Sequence, residues 1–321
     1  MDERAVYLNG SFVPESEAKV SIFDRGFNAG DAVYDVTRTF GHKPFKLREH
    51  NQRLYRSLTY TRIDCGLSIE EMEKATLELL DRNKHLLGEN DDYALWQVVS
   101  RGIRHPSVNR RGSDSATVAI YCMPVDFRGF ARHYVEGATV VVPSTRRIPP
   151  QCLESKAKIA NKMNHIIATF EAKQADPRAI PLMLDIDGNI SESNAHNFFF
   201  AMDGTICMPT TRNVLGGVTK ATLLSLADGL GIKVVEGNFT PYDVLNADEA
   251  FLASTSPTIV PVKSLNGVRI GKETPGAITF RLIQAWNKLV KVDIVRQALS
   301  HLDTEERKQL LELWKEKLAS F

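Results

Sequence analysis

The sequence predicts a mixed α/β (α+β) protein of two domains: a smaller α+β domain over residues 1–123 and a larger, β-rich domain with helices over 138–290. Three observations predict it. At 321 residues the chain has room for two ordinary domains, each burying its own core. Short β-rich runs closed by tight turns alternate with stretches of helical periodicity. Between them, residues 124–137 are interrupted by Pro, Gly, Arg and His and read as an interdomain linker.

The elements follow in order. Ala5 to Leu8 and Ser11 to Val13 make a hairpin about Asn9-Gly10, ended by Pro14. Val33 to Phe40 is a third strand, Gly41 to Lys43 a turn, and Pro44 to Leu47 a short apolar run. From Glu49 to Ile63, Leu54, Tyr55 and Leu58 recur at helical spacing, and Ser68 with Glu71 is a capping box opening a helix through Leu87. Strands at Tyr93 to Ser100 and Ala116 to Cys122 complete the first domain.

Beyond the linker, Ala138 to Val142 is a β-branched strand and Lys162 to Ala175 a helix. Pro181 to Asp185, Phe198 to Met202 and Thr205 to Met208 are strands, with turns at Asp187-Gly188 and Asp203-Gly204. Leu215 to Lys220 runs into a helix, Ala221 to Leu230, that Gly231 stops. Ile232 to Val235 and Glu249 to Ala253 are strands, Asn266-Gly267 is a hairpin turn, and Pro275 begins a helix to about Val290. The remainder, 291–321, is a helical extension whose amphipathic stretch, Thr304 to Ala319, suits a surface element or a dimer contact.

Composition narrows the function. A formal charge of +1 sets up no field for nucleic acid or an anionic membrane. No apolar run approaches the roughly 20 residues of a membrane span, and the first ten residues do not read as an export signal. Cys65, Cys122, Cys152 and Cys207 have no paired spacing, which fits neither a disulfide framework nor a zinc site. The expectation is a cytoplasmic protein with reduced, mostly buried thiols and no metal.

Three segments could carry chemistry. Gly216-Gly217-Val218-Thr219 stands at a helix start, where unsatisfied amides and the helix dipole favour an anion. It reads either as a phosphate cup or as a flexible turn with Thr219 capping the helix. Lys156, Lys158 and Lys162 lie within seven residues, and local sequence does not choose among them: a basic solvated face and a nucleophilic lysine of lowered pKa both fit. Ser191 to Asn197 is a polar run that reads as a loop.

Taken together and in order, six segments resemble the class IV aminotransferases, the fold type IV pyridoxal-phosphate enzymes, from about Tyr7 to Trp286. They are Val20 to Gly26, His50 to Leu54, Lys158 to Ala172, Ser191-Glu192 with Asn197, Leu215 to Lys220, and Ser254-Thr255 with Pro261-Val262. The resemblance implies the two-domain fold of that family, a homodimer in which a partner subunit closes the cleft, and pyridoxal 5′-phosphate as cofactor. The family's lysine precedes its Glu-Ala pair by a fixed distance, and counting back from Glu171 gives Lys158 as the residue carrying the Schiff base. That lysine also moves the proton between the substrate's α carbon and the cofactor. By the same resemblance Glu192 faces the pyridine nitrogen, and Arg53 grips the phosphate. Gly217, the Val218 and Thr219 amides and the Thr255 hydroxyl complete the cup. The family most often has Arg where Lys220 stands, a position not assigned to catalysis.

For substrate, the resemblance points to Tyr34 and Arg38 on one face of a strand, and to Ser256. Arg38 reads as a carboxylate ligand or as a solvent-facing arginine; Arg104 reads as a substitute for the carboxylate trap of the D-amino acid enzymes or as a solvated loop residue. The implied reaction is a ping-pong transfer of an amino group from a small-molecule donor to a 2-oxo acid, with a branched-chain or related amino acid as donor. The alternatives are an (R)-selective amine or D-amino acid transaminase, an aminodeoxychorismate-type lyase, and a non-catalytic protein that binds a phosphate ligand.

Overall fold

The structure is a computed structural model and describes residues 3–103 and 115–320. They divide into two compact units, one made of the chain to Val125 with Ala157–Lys162, the other of Asp126–Lys156 and the chain from Met163.

In the first unit the strands are β1 (Ala5–Leu8), β2 (Ser11–Pro14), β3 (Ala32–Phe40), β4 (Lys43–Pro44), β5 (Tyr93–Ser100) and β6 (Thr117–Pro124), in the order β2-β1-β6-β5-β3-β4. Every pairing among them is antiparallel. The helices are α1 (Arg25–Ala29), α2 (Leu47–Thr61) and α3 (Ile69–Asn83). Alternation along the strands sends Val33, Val99, Val118 and Ile120 to one face, where they bury against Leu54 and Leu58 of α2 and Met72 and Leu79 of α3. The expected capping box is present: Ser68 accepts from the Glu71 amide, and Glu71 accepts from the Ser68 amide. Helix α2 starts two residues earlier than its periodicity suggested, after Lys46 in the left-handed region.

The segment at Ala157–Lys162 returns to this unit as a strip along β3. The Tyr34 amide donates to the Lys158 carbonyl at 3.0 Å, and the Ala160 amide to the Ala32 carbonyl at 2.8 Å.

The second unit contains, in chain order, α4 (Ala131–Glu136), β7 (Ala138–Val141), α5 (Met163–Ala175), β8 (Ile180–Leu184), β9 (Ile190–Ser193), β10 (Asn197–Met202) and β11 (Thr205–Pro209). There follow α6 (Val218–Gly229), β12 (Val234–Gly237), α7 (Pro241–Leu245), β13 (Glu249–Ser254), β14 (Thr258–Leu265), β15 (Val268–Arg269), α8 (Ala277–Val290), α9 (Ile294–Leu299) and α10 (Thr304–Ser320). The strand order is β12-β11-β10-β13-β14-β7-β8-β9, with β15 on β14, and β9 pairs back onto β10 through Glu192 and Asn197. Phe198, Phe200, Leu182, Leu252, Val260 and Val262 fill its core.

Residues 124–137, expected as a linker, carry helix α4, whose Ala131, Tyr134 and Val135 are buried. Glycine, proline and arginine masked that short apolar triplet. The polar run at Ser191 to Asn197, expected as a loop, opens with strand β9, all of it buried. The polar side chains of β9 are internally bonded: the Ser191 hydroxyl donates to the Asn213 carbonyl at 2.9 Å, and Glu192 accepts from Arg147 and the Leu215 amide. Of the four cysteines Cys122 and Cys207 are buried, Cys65 is half-buried and Cys152 is exposed, and all are free thiols.

Candidate active site

On β3 of the first unit, the completely buried Asp35 carboxylate receives Arg53 Nε at 2.8 Å on one oxygen and Arg53 Nη2 at 2.7 Å on the other. His50 Nδ1 lies 2.7 Å from the second oxygen. Because an ionised carboxylate only accepts, Nδ1 of His50 carries the proton and donates. Burial alone would raise the Asp35 carboxyl; Arg53 and His50 outweigh it and hold it well below the usual carboxylate range. Burial likewise pushes the His50 imidazole down, against the pull of Asp35. Arg53 and His50 stand one turn apart on α2, so the pattern His50-x-x-Arg53 puts both over one strand residue.

The opposite face of β3 carries Tyr34. Lys158 Nζ lies 3.4 Å from the Tyr34 hydroxyl and 4.4 Å from the ring centroid, while the Lys158 amide donates to Ser57 Oγ of α2 at 3.0 Å. With its carbonyl also bonded, Lys158 is fixed on both sides of its Cα. Lys156 is exposed on the other unit, and Lys162 Nζ stands 5.9 Å from the Tyr34 centroid. Arg38, two residues along the same face as Tyr34 and Val36, is not solvent-facing. It is buried, with Nη2 4.0 Å from Asp92 and its guanidinium 4.3 Å over the Phe40 ring. Arg104 lies outside the described residues. The neighbouring Arg101 pairs with Asp31, through Nε at 2.8 Å and Nη2 at 3.1 Å.

In the second unit Glu192 is buried on β9. Its Oε1 accepts from Arg147 Nε at 3.0 Å and its Oε2 from the Leu215 amide at 2.8 Å. Asn197, opposite Glu192 in the sheet, donates to the Leu215 carbonyl at 3.0 Å and abuts the next loop residue but one. A Cβ built on Gly217 would overlap Asn197 Oδ1, so glycine is required there for space rather than for φ, which is −67°. Gly217 is the N-cap of α6 and the cap has no side-chain bond. Thr219 is therefore not the capping residue; it is buried in the first turn, whose amides have no acceptor within the helix. Thr255 and Ser256 sit in the turn between β13 and β14, and the pairing of Ala253 with Asn197 carries that turn to the same end of the sheet. Tyr134 of α4 donates to the Pro257 carbonyl in this turn. Lys220, in the first turn of α6, is buried and its ammonium is pushed down by burial, against Glu236 and Glu192.

Within each unit the predicted residues thus gather: Tyr34 with Lys158, Arg53 on the other face of β3, and Glu192 with Gly217, Val218, Thr219, Thr255 and Ser256. Sequence reasoning missed Asp35, His50 and Arg147 as partners. Asp35 was within reach, because a charged residue inside an apolar strand needs a counter-ion; Arg147 sits in irregular chain and carries no local signal. Glu171, the anchor for counting to Lys158, holds the Thr145 amide at 2.9 Å. Among the described residues no cluster of potential ligands could hold a metal ion, and no helix is long and apolar enough to cross a membrane.

Comparison with known proteins adds to this geometry. The amino-transferase class IV family profile matches residues 32–265. A Methanocaldococcus jannaschii protein, provisionally named a branched-chain-amino-acid aminotransferase, is 34% identical over 86% of this chain and 93% of its own. A D-alanine aminotransferase from Bacillus licheniformis is 30% identical over 85% of this chain and 93% of its own. Among solved structures, the T.th. branched-chain amino acid aminotransferase with pyridoxamine 5′-phosphate superposes with a TM-score of 0.81 at 27% identity, covering 90% of this chain and 95% of that one.

Proposed function

The chain belongs to the class IV aminotransferases and is a pyridoxal 5′-phosphate-dependent transaminase; we propose that its donor is a branched-chain or related amino acid and its acceptor a 2-oxo acid. Three features fit the cofactor: an amine fixed beside a tyrosine hydroxyl, a helix N-terminus with no room for a Cβ at its cap, and a buried carboxylate held by a guanidinium and an amide. When bound, the cofactor supplies an electron sink for the substrate's α carbon.

The chain's own residues then divide the work. Lys158 is the covalent tether and, once released, the group that takes a proton from the α carbon and returns it. The Tyr34 hydroxyl orients its amine. Glu192 holds a proton at the ring nitrogen, and Arg147 with the Leu215 amide keeps that carboxylate aimed. By the family pattern the Val218 and Thr219 amides, the Thr255 hydroxyl and Arg53 are assigned to the phosphate, and the plane of the Arg53 guanidinium is set by Asp35. Arg38 and Ser256 are assigned to substrate, Arg38 with its charge already met by Asp92.

The observation that carries this reading is the two-sided backbone anchoring of Lys158, whose amide donates to Ser57 Oγ and whose carbonyl accepts from the Tyr34 amide. The test is reduction of the cofactor-loaded protein with borohydride followed by peptide mapping. The label is expected on Lys158 and lost in Lys158→Ala, while Lys156→Ala and Lys162→Ala keep it. Label elsewhere would refute the assignment. A panel of L- and D-amino acids and of (R)- and (S)-amines, with pyruvate or 2-oxoglutarate, reads the donor and its handedness.

We also propose a cytoplasmic homodimer. Each unit exposes apolar side chains in series: Ile22, Phe23 and Phe27 in the first, and Met163, Ile166, Ile167 and Phe170 along one face of α5 in the second. The free thiols suit a reducing compartment. Light scattering on the eluting protein should give twice the chain mass.

A further inference from the structure

The connection that carries Thr255 and Ser256 is short: Ser254 of β13 pairs with Thr258 of β14, and only Thr255, Ser256 and Pro257 lie between them. Connections of that length commonly close on a residue in the left-handed region, which glycine adopts without strain. Here the closing residue is Thr258, at φ 59°. A β-branched side chain at positive φ is a conformational outlier, and it persists only where its surroundings over-determine it.

Two hydroxyls converge on the Pro257 carbonyl at the base of this turn. Thr258 Oγ1 donates to it at 2.6 Å, and the Tyr134 hydroxyl donates to it from α4. Tyr134, Pro257 and Thr258 are buried, whereas Thr255 and Ser256 at the tip are half-buried. The Thr258 bond is local and moves with the turn, so it cannot fix where the turn sits; the Tyr134 bond ties the turn to a separate helix. That helix is held in turn by the C-terminal extension. Phe127, just before α4, stacks on His301, just after α9, with centroids 4.3 Å and planes 19° apart. Arg128 Nε donates to the His301 carbonyl at 2.8 Å, and Arg132 Nε of α4 meets Glu306 of α10 at 2.5 Å. The Phe130 ring meets that of Tyr134 edge-on at 5.9 Å.

We propose that Tyr134 is a positioning residue: its hydroxyl holds the Thr255-Ser256 turn where the Thr255 hydroxyl serves the cofactor's phosphate, and the C-terminal helices, by fixing α4, fix Tyr134. This rests on Thr255 being a phosphate ligand. Tyr134 acts through the Pro257 carbonyl and takes no part in proton transfer.

The test titrates cofactor-free wild type, Tyr134→Phe, Thr255→Val and the double variant with pyridoxal 5′-phosphate and with pyridoxal, which lacks the phosphate, following the imine band. Phenylalanine keeps the ring and Thr258 still serves the Pro257 carbonyl, so the thermal midpoint of the cofactor-free protein should move by no more than a few degrees. Thr255→Val should weaken pyridoxal 5′-phosphate roughly tenfold or more, as for a lost hydrogen bond to a charged group, and Tyr134→Phe about three- to tenfold; neither should change the affinity for pyridoxal by more than about twofold. The double variant should lose no more than Thr255→Val alone, because no hydroxyl is left to position. Equal weakening of both ligands by Tyr134→Phe, with or without a fall in the midpoint, makes Tyr134 a purely structural residue and overturns the proposal. Unchanged affinity in Tyr134→Phe, or additive losses in the double variant, overturns it too. Unchanged affinity in Thr255→Val overturns instead the phosphate assignment on which the brace rests, so the two failures are told apart.

Discussion

Asparagine at position 35 gives the sharpest test of how the first unit is built. Asp35 is completely buried and accepts from two side chains: the Arg53 fork at 2.8 and 2.7 Å, and the His50 Nδ1 proton at 2.7 Å. Asp35→Asn preserves shape but leaves the buried Arg53 charge without its counter-ion, a loss of about 3–5 kcal/mol. For a domain of this size that lowers the unfolding midpoint by roughly 10 °C. Urea denaturation followed by circular dichroism measures it, and Asp35→Asn with Arg53→Met should be less damaging than Asp35→Asn alone, because no orphaned charge remains. The same variant should weaken cofactor binding, since the guanidinium loses the partner that sets its plane. The pH dependence follows from the direction of each shift. The Asp35 carboxyl is held low in the folded state, so its contribution is complete above about pH 4 and decays as pH falls below that range. His50 is also pushed down, so its contribution is complete above about pH 6.5 and is lost as pH falls further, because only the unfolded chain takes up the proton readily. A loss below about 1 kcal/mol in Asp35→Asn would mean that the pair behaves as a solvated surface bridge, and the reasoning would fail.

Three further outcomes are expected. Gly217→Ala should weaken cofactor retention at least about tenfold in equilibrium dialysis, because the new methyl meets Asn197 Oδ1; Gly217→Ala with Asn197→Gly should recover part of it. Arg147→Met should cost about 1.5–3 kcal/mol of stability by leaving Glu192 with a single donor, and should slow the amino-transfer half-reaction in stopped flow; an unchanged half-reaction would make the pair purely structural. The half-buried His196 is pushed down to about 4 by burial and by His133, so it should titrate far below an ordinary histidine in NMR spectra, and the stability it contributes above about pH 6.5 should be lost as pH falls toward 4. A midpoint near 6.5 would contradict that environment.

Which parts of this molecule can be read from its sequence depends on how far away the deciding partner lies. The capping box of α3 is complete within four residues, and its helix was legible; the hairpin at Asn9-Gly10 and the start of α6 after Gly217 are equally local. Strand β9 was not, because Ile190–Ser193 is buried for the sake of Arg147, Asn213 and Leu215, none of which its own pattern announces. Helix α4 failed for a related reason, since Tyr134 is buried by bonding Pro257, 123 residues away. The site follows the same rule. Lys156, Lys158 and Lys162 share composition and neighbourhood, and the difference among them comes from Ser57, 101 residues earlier, and from the β3 edge. Family resemblance chose Lys158 only because it carries, in compressed form, distances that a single chain does not display. Thr258 shows the limit of that route. The resemblance brackets it, with Ser254-Thr255 on one side and Pro261-Val262 on the other, yet nothing there announces a left-handed residue, because Ser254 to Thr258 holds no glycine. What keeps that turn in place is Tyr134, and what keeps Tyr134 in place is a pair of helices past residue 290. The C-terminal extension and the turn assigned to phosphate are therefore two ends of one constraint. A substitution that relaxes the first should loosen the second, and His301→Ala, which removes the ring stacked on Phe127, is expected to weaken pyridoxal 5′-phosphate more than pyridoxal in the same titration, whereas equal weakening would place the extension outside that constraint.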